Sequence, residues 1–212
     1  MKIVLNILKA FLINISFIGI IFASNSCPST SPKDAPDFPV EQAEAILGDI
    51  VCSFIDLNSA GNGTFDNSLN LTKKKILPYI DFEYSTKLAL GGHWEQLQPM
   101  DKKIFERDIK NSLIKDYVNI LTNLQNWNHV NISVDKTFTQ HNNLAEVDVF
   151  TVLENENVSA TVTLKMVRKD RWRVYDLVWQ SMSIISYLEY SYHEKIKQKG
   201  LKELLNSLVK RT

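Results

Sequence analysis

The hydrophobic period of this chain changes once, near Val130, and that change restricts the fold more than any other feature. Before it, apolar residues recur every three or four positions. Val40, Ala43, Leu47, Ile50 and Phe54 form one such stripe, and Phe105, Ile109, Leu113, Tyr117, Leu121 and Leu124 form another, so both segments read as helices with one buried face. After it, alternation takes over. Ala145, Val147, Val149, Thr151 and Leu153 share one face of a strand, and Ala160, Val162, Leu164 and Met166 share one face of the next. Strands are expected at 131–135, 145–153, 158–167 and 172–179, with polar turns at 154–157 and 168–171. The last strand is apolar on both faces, with Trp172, Val174 and Val178 opposite Tyr175, Leu177 and Trp179. Residues 183–199 read as a helix stopped by Gly200, and Leu201, Leu204, Leu205 and Leu208 as a short terminal one. The expected fold class is therefore α+β, with N-terminal helices packed on a roughly four-stranded antiparallel sheet and C-terminal helices behind it.

The stretch from Leu77 to Trp94 is the densest in punctuation. Pro78 ends the helix before it, Asp81 is placed to cap a new one, and Gly91 with Gly92 closes it. Tyr79, Phe82, Leu88, Leu90 and Trp94 supply more apolar surface than so short a helix needs for a one-sided contact. Upstream, Asp37 and Pro39 start the first helix, 58–67 is a polar loop, and 68–77 is a short helix. Its Lys73 to Lys75 read as a solvated face near a helix C-terminus, where the dipole favours cations. Downstream, Pro99 opens the longest helix, which runs to about Leu124.

Residues 10–23 are apolar apart from Asn14 and Ser16, and Lys2 and Lys9 precede them. Fourteen helical residues span roughly 21 Å, short of a ~30 Å hydrocarbon core, so 1–26 is expected to be an export signal cleaved after Ser26, against a retained anchor as the alternative. Residues 27–36 hold three prolines and no large apolar group and read as a flexible tether, leaving 37–212 as a single domain. Both cysteines, Cys27 and Cys52, remain after cleavage. Lipidation of Cys27 is disfavoured by the Ser24 and Asn25 before it, and a Cys27–Cys52 disulfide is allowed but not demanded. Lys+Arg and Asp+Glu both number 24, so no global field draws nucleic acid.

Catalytic constellations are thin. His93, His129, His141 and His193 have no metal spacing, no Ser sits in a Gly-x-Ser-x-Gly elbow, and there is no phosphate loop. Asp176, on an apolar strand, is the best candidate for a perturbed carboxylate, but it reads more simply as a structural acid accepting from nearby N–H groups or from Ser183. Asp81 reads as a cap. The sequons at Asn62, Asn70, Asn131 and Asn157 matter only in a host that glycosylates them.

Leu77-Pro78-x-x-Asp81-Phe82 followed by Leu88-x-Leu90-Gly91-x-His93-Trp94 resembles the segment that marks the MlaC-type periplasmic phospholipid-binding proteins, the toluene-tolerance family. Phe105, Tyr117, Trp172-x-Val174-Tyr175-Asp176, Ser183 and Gly200-Leu201-x-x-Leu204 agree with it in order, so the resemblance covers about residues 38–210. The chain departs from the pattern at Gly91-Gly92 and where Met182 replaces the usual glycine before Ser183. The resemblance implies an NTF2-like fold and a periplasmic monomer of the Mla pathway, which maintains outer-membrane lipid asymmetry. Such a carrier passes phospholipid between an outer-membrane lipoprotein complex and an inner-membrane ABC transporter, docking on the transporter's MCE-domain subunit. It implies no cofactor, with phospholipid as cargo, and no enzyme activity. The surplus of apolar groups then reads as a cavity wall formed by Tyr79, Phe82, Leu88, Trp94, Phe105, Ile109, Tyr117, Val147, Val149, Val162, Leu164, Met166, Tyr175 and Leu177. Pro78, Gly91 and Gly92 are expected to hinge the segment that admits the tails. The alternatives are an NTF2-like enzyme using Asp176 with a nearby His or Tyr on a hydrophobic substrate, and an adaptor protein with a filled core.

Overall fold

The computed structural model describes residues 31–123, 130–153 and 158–210. Helix α1 spans Pro39–Ser59, α2 Phe65–Lys75, α3 Phe82–Leu90 and α4 Pro99–Asn123, with 3₁₀ turns at Leu77–Tyr79 and Gly91–Gln96. Strands β1 Val130–His141, β2 Leu144–Leu153, β3 Val158–Arg168, β4 Trp172–Trp179 and β5 Met182–Ser183 follow, and helices α5 Ile184–Lys199 and α6 Leu201–Val209 end the chain. The expected α+β class holds.

The boundaries differ where local chemistry was missed. α2 starts three residues earlier than its apolar pattern suggests, because the Thr64 hydroxyl caps it by accepting from the Asn67 N–H. It also stops at Lys75, before Leu77, where a 3₁₀ turn relieves Pro78. β1 runs to His141 rather than Asp135, since an irregularity between Val134 and Phe138 lets the strand resume its pairing with β2. The turn expected at 154–157 lies outside the described residues.

The sheet has five strands rather than four, in the order β1-β2-β3-β4-β5 with every neighbour antiparallel. The fifth is made by a two-residue turn in which Gln180 (φ 48°) and Ser181 (φ 64°) are both left-handed, so that Trp179 pairs with Met182. Positive φ at both central positions is the type I′ geometry that suits a hairpin and strains side chains other than Gly or Asn. Ser181→Gly is therefore expected to stabilise the fold by about 0.5–1 kcal/mol, read as a higher urea midpoint at unchanged m-value.

β4 also settles the ambiguity of its two apolar faces. A bulge opposite Lys165 and Met166 inserts Tyr175, so Val174 faces Met166 while Leu177 faces Leu164. Trp172, Val174 and Leu177 thereby share the inner face, contrary to strict alternation.

Two apolar cores result. The sheet core joins Val147, Val149, Leu164, Met166 and Trp172 to Val40 and Ala43 of α1, with Ile132 and Val134 packed against it. The helical core joins Phe82, Leu90, Trp94, Phe105, Ile109 and Leu113 to Ile185, Tyr192, Leu204 and Leu208. Each core draws on separate stretches of chain, so the backbone passes between them more than once. Gln42, buried in α1, donates its Nε2 to the Pro32, Ala35 and Pro36 carbonyls, fastening the approach to α1. Cys52 is disulfide-bonded, and Cys27, the other cysteine of the sequence, lies outside the described residues.

Candidate functional site: an apolar cleft between two cores

The two cores meet along β4. The Asp81 N–H donates to the Val174 carbonyl at 2.9 Å, Ile80 bridges Val174, and the Ser85 hydroxyl donates to the Tyr175 carbonyl at 2.6 Å. The Asp81 carboxylate accepts from the Tyr84 N–H at 2.9 Å, capping α3 as its position in the sequence suggested, and pairs with Lys169 at 2.9 Å. Burial works against the Lys169 charge, and its bonds to Asp81 and Glu83 outweigh that, holding its ammonium above the ordinary lysine value. The N-terminus of α3 is thus fixed to β4 and to the β3–β4 turn, whereas its C-terminus ends at exposed Gly91, whose φ of 51° favours glycine.

Beside this junction lies a small cleft with about 20 Å³ of free space, lined by Ile80, Leu113, Val174, Tyr175, Asp176, Leu177, Ile184 and Ile185. Ile80, Leu113 and the two α5 isoleucines belong to the helical core, and Val174 and Leu177 to the sheet core. The cleft is therefore the seam between them. Tyr175 sits in the β4 bulge with its ring 4.9 Å from that of Tyr84 in an edge-to-face contact. Such pairs gain about 0.5–1.5 kcal/mol beyond area burial.

Of the residues expected to form a cavity wall, Tyr175 and Leu177 line the cleft. Phe82, Trp94, Phe105 and Ile109 are buried in the helical core with Leu88 packed on it, and Val147, Val149, Leu164 and Met166 in the sheet core with Val162 packed on it. Tyr79 is half-buried near Asp49 and Lys75, and burial, then Asp49, pushes its hydroxyl up. The Tyr117 side chain lies outside the described residues. Ile80, Leu113, Val174, Ile184, Ile185 and Tyr84 were not singled out. Leu113 stood in the α4 stripe and Val174 in the double-faced strand, so periodicity marked them as buried without telling core from cleft.

The one carboxylate in the cleft is committed. Ser183 Oγ donates to Asp176 Oδ2 at 2.6 Å and the Ile185 N–H to Oδ1 at 3.1 Å, so Asp176 holds the start of α5 against β4. Ser183 also caps the helix by accepting from the Ser186 N–H. Burial, then the neighbouring Tyr84 and Asp176, raises the Tyr175 hydroxyl to about 12, so it keeps its proton at neutral pH. Its folded value lies above the unfolded one, so its contribution to stability is complete below pH ~10 and is lost as pH rises towards 12. In an ultraviolet titration, the Tyr175→Phe difference spectrum should show one tyrosinate forming about two pH units later than an ordinary tyrosine, and a difference centred near pH 10 would contradict this environment. Among the described residues, no group of three His, Cys, Asp or Glu could hold a metal ion.

The MlaC protein family model matches residues 50–210. The chain belongs to the MlaC family. Among solved structures, it shares its fold with the phospholipid-binding protein from Ralstonia solanacearum, solved in complex with a phospholipid, at 21% identity and a TM-score of 0.65, over 80% of this chain and 93% of that one. No curated protein sequence matches it significantly. In this MlaC-family chain Val174, Tyr175 and Asp176, which carried the resemblance, line the cleft, and other residues of the resemblance hold the elements around it. Asp81 caps α3, Asp176 and Ser183 seat α5, Trp172 anchors β4, and Gly91 and Gly200 end α3 and α5 with positive φ.

Proposed function

We propose that this MlaC-family protein is a periplasmic phospholipid carrier that takes acyl chains into the seam between its two cores. The observation that carries the reading is the cleft itself: its walls come from two independent cores, and its single carboxylate already holds two donors. Burying a methylene is worth about 0.8 kcal/mol, so exposing two ~16-carbon tails to water would cost on the order of 20 kcal/mol. A carrier must enclose them. The cleft, with about 20 Å³ of free space, has room for little more than a water molecule and is far below the roughly 300–1,000 Å³ of an ordinary ligand pocket, so the cores must separate as the tails enter. The bonds of Asp81 and Ser85 to β4 form the pivot, and opening swings the Gly91–Gly92 end of α3, drawing buried Ala89, Leu90 and Trp94 away from the helical core. Tails then run between the Phe82, Leu88, Trp94, Phe105 and Ile109 side and the Val147, Val149, Val162, Leu164 and Met166 side.

A fold shared with a phospholipid-bound protein supports the ligand class, and the disulfide at Cys52 supports an oxidising compartment reached through the N-terminal signal. The carrier works as a monomer between an outer-membrane lipoprotein complex and the MCE-domain subunit of an inner-membrane ABC transporter, in maintenance of outer-membrane lipid asymmetry, without cofactor or catalysis. Native mass spectrometry of the protein purified from a Gram-negative envelope is expected to show a mature chain beginning at Cys27 with phospholipid bound. A chain that is lipid-free after gentle purification, and that takes up none from vesicles, would sink the proposal.

A further inference from the structure

Around the β3–β4 turn, residues 168–173 hold four cations and one acid, and each of these charges is engaged. Arg168 pairs with Asp37, and Arg171 donates to the Pro32 carbonyl at 3.3 Å, so both hold the approach to α1. Arg173 donates to the two carboxylate oxygens of Asp170 at 3.1 and 3.0 Å. Trp172, between them, is fully buried in the sheet core. The turn is therefore a rigid extension of that core.

From this base Lys169 reaches across to the start of α3, where it pairs with Asp81 Oδ2 at 2.9 Å and with Glu83 at 3.1 Å. Arg173 also touches the Pro78 carbonyl, at 3.4 Å. The two arms of Lys169 differ in what they hold. Glu83 is 66% exposed, where an ion pair is worth little, whereas Asp81 is 4% exposed. Asp81 Oδ1 already accepts from the Tyr84 N–H, and Lys169 serves Oδ2. Without the lysine that buried oxygen would lose its partner, and lifting α3 off β4 to admit water would relieve the cost. Other lysine pairs do not cross the seam. Lys87–Glu95 joins α3 to the 3₁₀ turn after it, Lys165–Glu146 lies within the sheet, and Lys136–Glu44 joins β1 to α1.

We infer that Lys169 pins the junction of α3 with β4 and keeps the seam shut at that end, confining its opening to the Gly91 end of α3. The pin rests on the carrier reading above and names what stops the two cores from parting along their whole length. Ile80 and Val174, bridged at the junction, line the cleft beside Leu113, so loss of the pin lays those walls open. A seam free at both ends lets water in and tails out from either side.

The rate at which a maleimide labels Leu113→Cys, located by peptide mapping in the full mature chain without lipid, reads opening at the junction, because Leu113 is buried in the closed cleft. Adding Lys169→Gln is expected to speed labelling about ten-fold, near the lower bound for a hydrogen bond to a charged group. Asp81→Asn keeps a capping oxygen and removes the charge, so it should give a similar gain. The double variant should gain no more than either single one, because both changes remove the same bond. Lys136→Gln, which breaks a pair on one side of the seam, should leave the rate unchanged. Met166→Cys, in the sheet core, reports global unfolding and should label no faster when Lys169→Gln is added. A parent rate in Lys169→Gln, an equal gain at Met166→Cys, or a double variant in which the two gains multiply overturns the inference. Native mass spectrometry of the same chains reads lipid carriage separately. A responsive junction in a chain that takes up no phospholipid sinks the carrier reading alone, and a lipid-bound chain whose junction ignores Lys169 sinks the pin alone.

Discussion

Leu113→Trp is expected to strip this MlaC-family protein of bound phospholipid while leaving it folded. Leu113 projects from α4 into the cleft opposite Val174 and Leu177, so an indole there occupies space at the mouth of the seam. Overpacking of this kind costs about 1–3 kcal/mol, which a domain stable by roughly 5–15 kcal/mol tolerates. Lipid binding is more sensitive. Excluding even two methylenes from the cavity removes about 1.6 kcal/mol, or close to fifteen-fold in occupancy, and a plugged entrance removes far more. Phe150→Trp is the control, because Phe150 pairs with Ser133 and Thr161 on the outer face of the sheet, away from Val147 and Val149. Phospholipid per protein by native mass spectrometry, with urea unfolding in parallel, gives both readings. Wild-type lipid content in Leu113→Trp would mean that the tails do not use this seam.

The largest expected loss of stability is at Phe105. It is fully buried, and its ring meets that of Tyr192 edge-to-face at 5.8 Å, while the Tyr192 hydroxyl donates to Asp108 at 2.7 Å. Phe105→Ala leaves a cavity between α4 and α5 and is expected to cost about 3–5 kcal/mol by urea denaturation. The division into two cores gives a sharper expectation with milder changes. Ile109→Val in the helical core should cost about 0.5–1.5 kcal/mol and Leu164→Ala in the sheet core about 2–5 kcal/mol. The double variant should match their sum within about 0.5 kcal/mol, because the residues share no cluster. A coupling above about 1 kcal/mol would show that the cores behave as one packed unit and would weaken the case for an opening seam.

Much of this fold was legible before any coordinates. The α4 stripe at Phe105, Ile109 and Leu113, the alternation of β2 and β3, the Asp81 cap and the Gly91 and Gly200 stops all arise from interactions within one element, and each appears where its local chemistry placed it, while Tyr117, Leu121 and Leu124 of that stripe lie outside the described side chains. Asp176 was read as an acid satisfied by Ser183, and the 2.6 Å bond between them agrees. What periodicity missed was geometry made between elements. Alternation assigned Val174 and Leu177 to opposite faces of β4, and the bulge at Tyr175 brought them to one. The Thr64 cap and the Gln180–Ser181 turn were missed because each depends on one or two polar residues without a hydrophobic signature. Of the expected wall residues whose side chains are described, Tyr175 and Leu177 reach the cleft and most of the others sit in one core or the other.

The sequence by itself determined the class of the fold and the helix stops and caps, because propensity, capping and period are properties of contiguous residues. Only the tertiary structure decided that the apolar residues divide into two cores, that β4 carries the seam between them, and that Ile80, Leu113, Ile184 and Ile185 line it. A buried leucine has the same neighbours in sequence whether it fills a core or walls a cleft. The difference lies in what stands opposite, and that is set by segments that meet only after the chain has crossed from one core to the other.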